Sequence, residues 1–210
     1  MFKKINVKLD KSLIQKIEYL SKFIDKRNIL YEDNTIDLKF KKYLKHTDED
    51  KLLQHYADKR ILYKQIDFPY SPILKLLPQK LLELEIPMPH WQVFGGDYLV
   101  PPHIDKGRLC AINIYTSVNG ERTVLYNKLR NGVRLETENE FVTNESFIPE
   151  WITETGSFIA NQWDVYLLDV SCPHAVINMT SNKRISISFS FYKLKFNDIL
   201  DIMNVQEIEV

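Results

Sequence analysis

The sequence predicts a mostly β protein with some α structure, in which a sandwich or barrel of short strands carries helices on one outer face. Three observations predict this class. About eight short β-like runs, interrupted by Pro and Gly, follow residue 86. The first 85 residues instead place apolar side chains at helical spacing. One late strand has two faces of opposite character, so one of them needs a cover.

Length, composition and charge restrict the function classes. The chain has 210 residues, and we expect a single domain over 1–210. Its 44% hydrophobic content suits a packed core, and 28 Lys and Arg balance 28 Asp and Glu. This balance argues against binding nucleic acid or a membrane surface through bulk charge. No apolar run is long enough to span a bilayer, no secretory signal is visible, and two cysteines are too few for a disulfide framework. We therefore expect a cytoplasmic location.

Residues 1–85 are predicted to be a helical support region. A first helix begins near Asp10 or Ser12, and Leu13, Ile17 and Leu20 form part of its apolar stripe. A second helix is predicted from Thr47, whose hydroxyl can act as a cap. A third begins at Ser71-Pro72 and must be short, because Pro78 ends or kinks it.

Residues 86–195 are predicted to form the β core. Asn119-Gly120 indicates a hairpin turn between two strands. Residues 128–155 are polar and weakly periodic, so we expect a long loop or insertion there. Phe147 and Trp151 lie in this segment, which could serve as a lid over the site.

The strand over residues 184–192 supports the arrangement of helices outside the barrel. One face carries Arg and Ser, and the other carries two Ile and two Phe. If the amphipathic helices cover the apolar face, the polar face looks into the barrel. An Arg in that position is costly unless an anion meets it, so Arg184 indicates a ligand carboxylate.

A possible metal site comes from two separated motifs. His103-Ile104-Asp105 places an imidazole and a carboxylate on one side of a strand, and His174 follows in a second strand-like segment. Two His and one carboxylate form the facial triad of non-haem Fe(II) sites. Short spacings of this kind also arise by chance, as His46-Thr47-Asp48 illustrates at a predicted helix start.

The surroundings of His174 strengthen the motif. Arg184 follows ten residues later, with Ser186 on the same face of its strand. We expect this pair on the strand next to that of His174, after a hairpin turn at 180–183. A guanidinium fork and a hydroxyl can together hold one carboxylate. The pattern of His103, Asp105, His174 and Arg184 resembles the Fe(II)/2-oxoglutarate-dependent oxygenase superfamily over roughly residues 87–195. The stretch from His174 to Arg184 is similar to the aspartyl/asparaginyl hydroxylase-like branch, whereas prolyl-4-hydroxylase-like members usually carry Lys at the Arg position.

This resemblance implies a double-stranded β-helix, a jelly-roll or cupin-like fold. It implies Fe(II) held by His103, Asp105 and His174, with 2-oxoglutarate as cosubstrate and O2 as oxidant. The far carboxylate of the cosubstrate would meet Arg184 and Ser186. The implied activity is hydroxylation of an amino-acid side chain, in a peptide or free, or of another small molecule, with succinate and CO2 as co-products.

Weaker candidates surround this set. If the strand after Asp105 continues without a bulge, Asn113 and Tyr115 share its face, although Gly107 makes continuous alternation uncertain. Tyr98 is a further candidate cosubstrate residue, Trp91 could line the pocket, and Arg108 could bind a second anionic group. The remaining hydrophobic and sulfur side chains, namely Trp151, Trp163, Cys110 and Cys172, are more typical of packing.

Two other interpretations remain open at this point. A cupin-like enzyme could use the same metal ligands without 2-oxoglutarate, or the barrel could be a non-catalytic binding module. For Arg184 alone, the ordinary alternative is a salt bridge to a strand neighbour such as Asp169. An anion receptor at Arg184 and Ser186 favours the oxygenase.

Overall fold

Two antiparallel β-sheets packed face to face form the framework of the protein. The computed structural model describes residues 1–26, 63–94, 100–134, 143–177 and 184–205, and within these it contains 11 strands. Helices lie against the outer face of the larger sheet. None of the helices in these ranges combines the length and the apolar character that crossing a membrane requires.

The secondary structure elements follow one another in a β-rich order. The strands are β1 Phe2–Lys4, β2 Tyr63–Asp67, β3 Met88–Phe94, β4 Val100–Asp105, β5 Cys110–Ser117, β6 Arg122–Lys128, β7 Thr143–Ser146, β8 Ile152–Ile159, β9 Val165–Asp169, β10 His174–Ile177 and β11 Arg184–Phe191. The helices are α1 Lys11–Lys26, α2 Gln79–Leu84 and α3 Phe196–Val205, with short 3-10 turns at Ser71–Leu76 and Pro149–Trp151.

The strand order confirms the predicted jelly-roll class. The described six-stranded sheet has the order β1-β9-β5-β11-β3-β2, and the five-stranded sheet has the order β7-β4-β10-β6-β8. Every named pair is antiparallel, and most partners are distant in sequence. Two facing sheets with such pairing form a double-stranded β-helix.

Three predicted local connections differ from the structure. The turn at Asn119-Gly120 is present, with Gly120 at a φ of 85°, but it leads from β5 in the larger sheet to β6 in the smaller sheet. It is therefore a crossover and not a hairpin. Similarly, β10 and β11 belong to different sheets, so Arg184 faces the smaller sheet from the larger one and is not one strand over from His174.

The turn around Gly107, which has a φ of 78°, also leads from one sheet to the other, because β4 belongs to the smaller sheet and β5 to the larger. The premise that Asn113 and Tyr115 continue the strand of His103 is therefore wrong. They face the barrel interior from the opposite sheet instead. Tyr115 packs there edge-on against Phe158 of β8, with ring centroids 6.2 Å apart.

The apolar face of β11 is covered as predicted. Ile187, Phe189 and Phe191 are almost fully buried in a core shared with Ile17 of α1 and Ile199 of α3. Removing this much apolar surface from water is the main stabilising contribution to the fold. The opposite, polar face of β11 is thereby turned towards the smaller sheet.

The predicted helical support region contains strands as well. Helix α1 begins at Lys11, where Asp10 Oδ1 accepts a hydrogen bond from the Leu13 amide at 2.8 Å, and the short helical turn at Ser71 is confirmed. However, β1 and β2 form the two edges of the larger sheet. The helix predicted from Thr47, together with His46, lies outside the described residues.

The predicted loop over 128–155 is wrong for its second half. Thr143–Ser146 and Ile152–Ile159 are strands of the smaller sheet. Phe147 and Trp151 are buried in a core with Ile104, on the side of β4 opposite to His103 and Asp105. These aromatic residues support the metal-binding strand from behind and do not cover the site as a lid. Residues 135–142 lie outside the described ranges.

Candidate metal centre and adjoining pocket

The two predicted histidine ligands are directly opposed in the smaller sheet. The antiparallel register of β10 and β4 pairs His174 with His103, and their ring centroids are 4.5 Å apart. Asp105 follows His103 on the same side of β4, because side chains alternate along a strand. Each of the three residues offers one ligand atom, and these three atoms all lie within 4.8 Å of one another. The structure therefore brings together the triad that the sequence predicts.

The distances suit a divalent transition metal. His103 Nε2 lies 3.3 Å from Asp105 Oδ1, and His174 Nε2 lies 3.7 Å from Asp105 Oδ2. Metal–ligand bonds of about 2.1 Å at right angles separate neighbouring ligand atoms by about 3.0 Å. A small adjustment of the side chains thus gives a facial set of two nitrogens and one oxygen, with the remaining coordination positions open.

The His174 ring is oriented for metal binding by its backbone contact. Its Nδ1 lies 3.0 Å from the Cys172 carbonyl oxygen, so Nδ1–H donates and Nε2 keeps a lone pair that faces Asp105. Burial, together with the neighbouring His103, lowers the pKa of His174 to about 4. The imidazole is therefore neutral at physiological pH, as a metal ligand must be.

Asp105 is held ionised by its neighbours. Burial opposes ionisation, but the Arg108 guanidinium and the two imidazoles outweigh it and keep the pKa of the Asp105 carboxyl well below its usual range. Arg108 donates from Nε to Asp105 Oδ2 at 2.8 Å, donates from Nη2 to the same oxygen, and donates from Nη1 to Ser190 Oγ at 3.1 Å. Arg108 thus orients the Asp105 carboxylate, a role that the sequence argument did not give it; that argument predicted that Arg108 could bind a second anionic group.

Arg184 is a buried cation that lacks a carboxylate partner among the described residues. Its Nη2 donates to Thr123 Oγ1 at 3.1 Å, while Nε and Nη1 have no hydrogen-bond partner in the described structure. The guanidinium lies over the rings of Tyr115 and Phe94, at 4.9 and 5.3 Å from their centroids. A buried charge left in this state is costly, so the arrangement is typical of a receptor for an anion.

The alternative salt bridge from Arg184 to Asp169 is absent. Asp169 pairs in register with Cys110, which in turn pairs with Phe191 at the far end of β11 from Arg184. Its carboxylate accepts from Ser171 and Cys172 and lies 3.8 Å from the amino terminus. This leaves Arg184 available for a ligand.

Arg184 lies within reach of the three candidate metal ligands. On β6, Leu125 pairs with His174, and Thr123, two residues along, is the residue that contacts Arg184. Two residues of a strand span about 7 Å. A five-carbon dicarboxylate is of comparable length, so one molecule can reach from the metal to the guanidinium.

Other predicted cosubstrate residues surround Arg184 from the larger sheet. Ser186 is fully buried, donates to Gln92 Oε1 at 3.4 Å and pairs in register with Tyr115. The Tyr115 hydroxyl is buried without a hydrogen-bond partner among the described residues. Asn113 is buried two residues further along β5, and Tyr98 lies outside the described residues.

The sequence argument did not identify several polar residues of the interior. Gln92 and His90 of β3 and Thr123 of β6 are buried and face the space between the sheets, but no motif in either strand marks them as functional. The sequence signal for two of them was the polar–apolar–polar alternation of His90, Trp91 and Gln92, which puts both polar side chains on one face of the strand. Trp91 points the other way and packs against Phe68 in the core, with ring centroids 4.9 Å apart, so it does not line the pocket.

The remaining tryptophans and both cysteines have structural surroundings. Trp151 is buried beneath Arg130, Trp163 packs against the main core, and both Cys110 and Cys172 are free thiols. Burial raises the pKa of Cys110 to about 12, so this thiol is unreactive at neutral pH.

No protein-family model matches the sequence, and no curated protein matches it either. Several solved structures show a weak similarity to this chain. HygX from Streptomyces hygroscopicus, with nickel and 2-oxoglutarate bound, is 10% identical at a TM-score of 0.46, over 90% of this chain and 81% of that one. A prolyl-4-hydroxylase from Pseudomonas putida is 12% identical at 0.42, over 92% of both chains. The Escherichia coli ribosomal oxygenase YcfD, with cobalt and 2-oxoglutarate, is 11% identical at 0.38, over 80% of this chain and 51% of that one.

Proposed function

We propose that this protein is an Fe(II)- and 2-oxoglutarate-dependent oxygenase that hydroxylates an amino-acid side chain, in a peptide or free, or another small molecule. The observation that carries the proposal is the juxtaposition of two features inside one barrel. The triad of His103, Asp105 and His174 can hold a divalent ion. The buried guanidinium of Arg184 contacts Thr123, which lies about 7 Å along β6 from the residue paired with His174, and two of its nitrogens have no partner among the described residues.

The two ends of the cosubstrate meet different chemistry in this pocket. Its keto-acid end would complete the coordination of the metal, and its far carboxylate would accept from Arg184 and from the Tyr115 hydroxyl. The Ser186 hydroxyl, which donates to Gln92 Oε1 at 3.4 Å, would turn to donate to the same carboxylate. The unpartnered N–H groups of Arg184 are at Nε and Nη1. Either can hold one oxygen of that carboxylate while the second N–H of Nη2 holds the other. The charge of the carboxylate would also offset the cost of the buried cation.

When bound, the iron supplies the oxidation. One O2 is consumed, 2-oxoglutarate is converted to succinate and CO2, and one oxygen atom is inserted into a C–H bond of the substrate. The protein contributes orientation and the exclusion of water. The backbone contact of His174 and the guanidinium of Arg108 hold two of the three ligands in place. Phe158 of β8 and Tyr166 of β9 pack around Tyr115 and keep water from its ring.

The substrate is proposed to be a small molecule or a peptide, with no nucleic acid or membrane involved. The balanced charge of the chain supports this. We also propose a cytoplasmic location, which the two free cysteines support.

Thermal unfolding without oxygen tests the proposal. The wild type, His174→Ala and Arg184→Ala would be melted with Mn(II), with and without 2-oxoglutarate, and Arg122→Ala would serve as a matched control. Arg122 is partly exposed and paired with Glu154, away from the pocket. A ligand at a hundred times its dissociation constant adds about 2.7 kcal/mol of stability, a readily measured shift.

We expect 2-oxoglutarate to stabilise only with the metal present, in the wild type and in Arg122→Ala. Arg184→Ala should keep the metal response and lose the 2-oxoglutarate increment, and His174→Ala should lose both. Succinate release in air, measured with Fe(II) in place of Mn(II), then follows the reaction. A metal response without any effect of 2-oxoglutarate would indicate a cupin-like enzyme instead, and no response to either would leave a binding module.

A further inference from the structure

A second group of polar side chains lies in a row across the larger sheet. It is on the same face as Ser186 but two residues further along β11, towards the end that contacts Arg108. In this row, Ser188 of β11 pairs with His90 of β3 on one side and with Asn113 of β5 on the other. All three side chains are at least nine-tenths buried. We name them the interior row.

Each member of the interior row has a polar atom without a partner among the described residues. These atoms are His90 Nε2, Ser188 Oγ and Asn113 Oδ1. A single orphaned polar atom in an interior is already costly, since burial removes its water. Three of them on adjacent strands at one level indicate a ligand.

The interior row faces the metal side of the barrel and is separate from the Arg184 end. Along β11 the polar face passes from Arg184 and Ser186 through Ser188 to Ser190. Ser190 accepts from Arg108, and Arg108 holds Asp105. The row therefore lies on the sheet opposite the metal ligands, beside the path that 2-oxoglutarate would take to Arg184. Ionised 2-oxoglutarate has no N–H or O–H to donate, so it cannot satisfy the orphaned acceptors of the row, and a second ligand is needed.

The hydrogen-bonding character of the row is that of an acceptor. His90 Nδ1 lies 3.3 Å from the Met88 carbonyl oxygen, so Nδ1–H donates and Nε2 presents a lone pair. Burial, with a contribution from Arg108, lowers the pKa of His90 to about 4 and keeps this ring neutral. Asn113 adds an amide oxygen, and the Ser188 hydroxyl can serve in either role.

The charges nearby exclude charged ligands at this position. A carboxylate would place its oxygens against the lone pairs of His90 Nε2 and Asn113 Oδ1. An ammonium group would face Arg108 and the divalent ion of the proposed function. A neutral N–H or O–H donor satisfies the row without either repulsion.

We propose that His90, Ser188 and Asn113 form the subsite that recognises a neutral hydrogen-bond donor of the substrate, a hydroxyl or a carboxamide N–H. This inference rests on the proposed function and deepens it, because it names the substrate chemistry beside the metal. It also moves Asn113 from the predicted cosubstrate set to the substrate side.

Four probes of matched size test the class of ligand on the full chain loaded with Mn(II) and 2-oxoglutarate without oxygen. Two are neutral donors, N-acetyl-asparaginamide and myo-inositol, and they distinguish a carboxamide from a hydroxyl. Two are charged, namely the aspartate and the diaminopropionate analogues of the first. We expect one neutral probe to raise the unfolding temperature of the Mn(II) form. With Fe(II) in place of Mn(II), the same probe should increase succinate release in air at least threefold, while both charged probes have no effect in either assay.

Variants of the interior row assign the effect to these residues. Ser188→Ala, His90→Phe and Asn113→Leu should each weaken the response to the neutral probe roughly fivefold or more. His90→Gln, which keeps an acceptor, should retain most of it. Ser171→Ala is the matched control, because Ser171 is exposed and contacts Asp169. A variant is interpreted only when it still unfolds cooperatively, and Ser188→Ala makes the smallest change in packing.

The outcomes separate this inference from the proposed function. If 2-oxoglutarate fails to stabilise the wild type, the proposed function is wrong. If it stabilises but a charged probe binds better, or no neutral probe responds, the interior row is not a donor subsite. Loss of the 2-oxoglutarate increment in Ser188→Ala or Asn113→Leu would also overturn the inference, because the row would then belong to the cosubstrate.

Discussion

The two faces of strand β11 are equally buried and chemically opposite. The outer face carries Ile185, Ile187, Phe189 and Phe191 in the main core, and the inner face carries Arg184, Ser186, Ser188 and Ser190. The outer side chains pack against helices, whereas several inner polar atoms have no partner among the described residues. Burial alone therefore does not indicate a stabilising role. One face of the strand stabilises the fold, and the other maintains a costly polar interior that a ligand would satisfy.

The largest expected effect is on the outer face. Phe189→Ala removes a fully buried ring from the core, and such truncations cost about 3–5 kcal/mol in the free energy of unfolding. Urea unfolding of the metal-free protein measures this loss. A loss below about 1 kcal/mol would mean that the core collapses around the gap and that the outer face contributes less than its burial suggests.

The inner face should respond with the opposite sign. Arg184→Met replaces an incompletely paired buried cation by an apolar side chain of similar length. Without ligands we expect a gain of about 1–3 kcal/mol in the free energy of unfolding. The same variant should lose the stabilisation by 2-oxoglutarate. Destabilisation of the ligand-free protein would instead show that Thr123 and the two rings fully compensate the charge.

A pH dependence follows from the neutral buried imidazole of His90. Its pKa is about 4 in the folded protein and about 6.5 when exposed. The stability that it contributes is therefore complete above pH 6.5 and is lost as the pH falls from 6.5 towards 4, because the unfolded chain binds the proton first. Without a bound metal, His174, whose pKa is also lowered to about 4, should likewise make the folded protein less stable as the pH falls through this range.

His90→Gln should reduce the slope of stability against pH in this window by up to about 1.4 kcal/mol per pH unit. Urea unfolding at pH 4.5 to 7.5 measures it, with Asp67→Asn as a control for the exposed charge nearest in register. An unchanged slope would show that His90 titrates alike in both states.

The smallest expected effect is that of Ser188→Ala. It removes a buried hydroxyl that has no partner among the described residues, so we expect a change between zero and a gain of about 1 kcal/mol. A loss above about 1 kcal/mol in the ligand-free protein would indicate an ordered water or another partner at this hydroxyl. In that case the inner face of β11 would also contribute to stability without a ligand, as the outer face does.

The sequence predicted the parts of the molecule that follow from local chemistry. His103 and Asp105 are two residues apart on one strand, and the alternation along residues 184–191 places Arg184 on a polar face whatever its neighbours are. The helices over Lys11–Lys26 and at Ser71 were also visible from spacing and caps.

The parts that it missed depend on pairing between distant strands. A turn such as Asn119-Gly120 reverses the chain equally well within one sheet or between two, so local signals could not show that β5 and β6 lie in different sheets. Likewise, His90 meets Ser188 only through the register of β3 with β11. The short edge strands β1, β2 and β7 have too few residues to show a period.

The opposed pairing of His103 with His174 has a consequence for how the protein is made. The two ligands close a loop of about 70 residues, and closing a loop of that length before other contacts form costs entropy that only the assembled sheets offset. Folds dominated by such distant pairings form slowly, in milliseconds to seconds. During synthesis the metal pocket therefore cannot exist until β10 has left the ribosome and paired with β4 and β6. A metal ion could be bound at these three side chains only after the strands have paired, and a partly folded chain would not hold it.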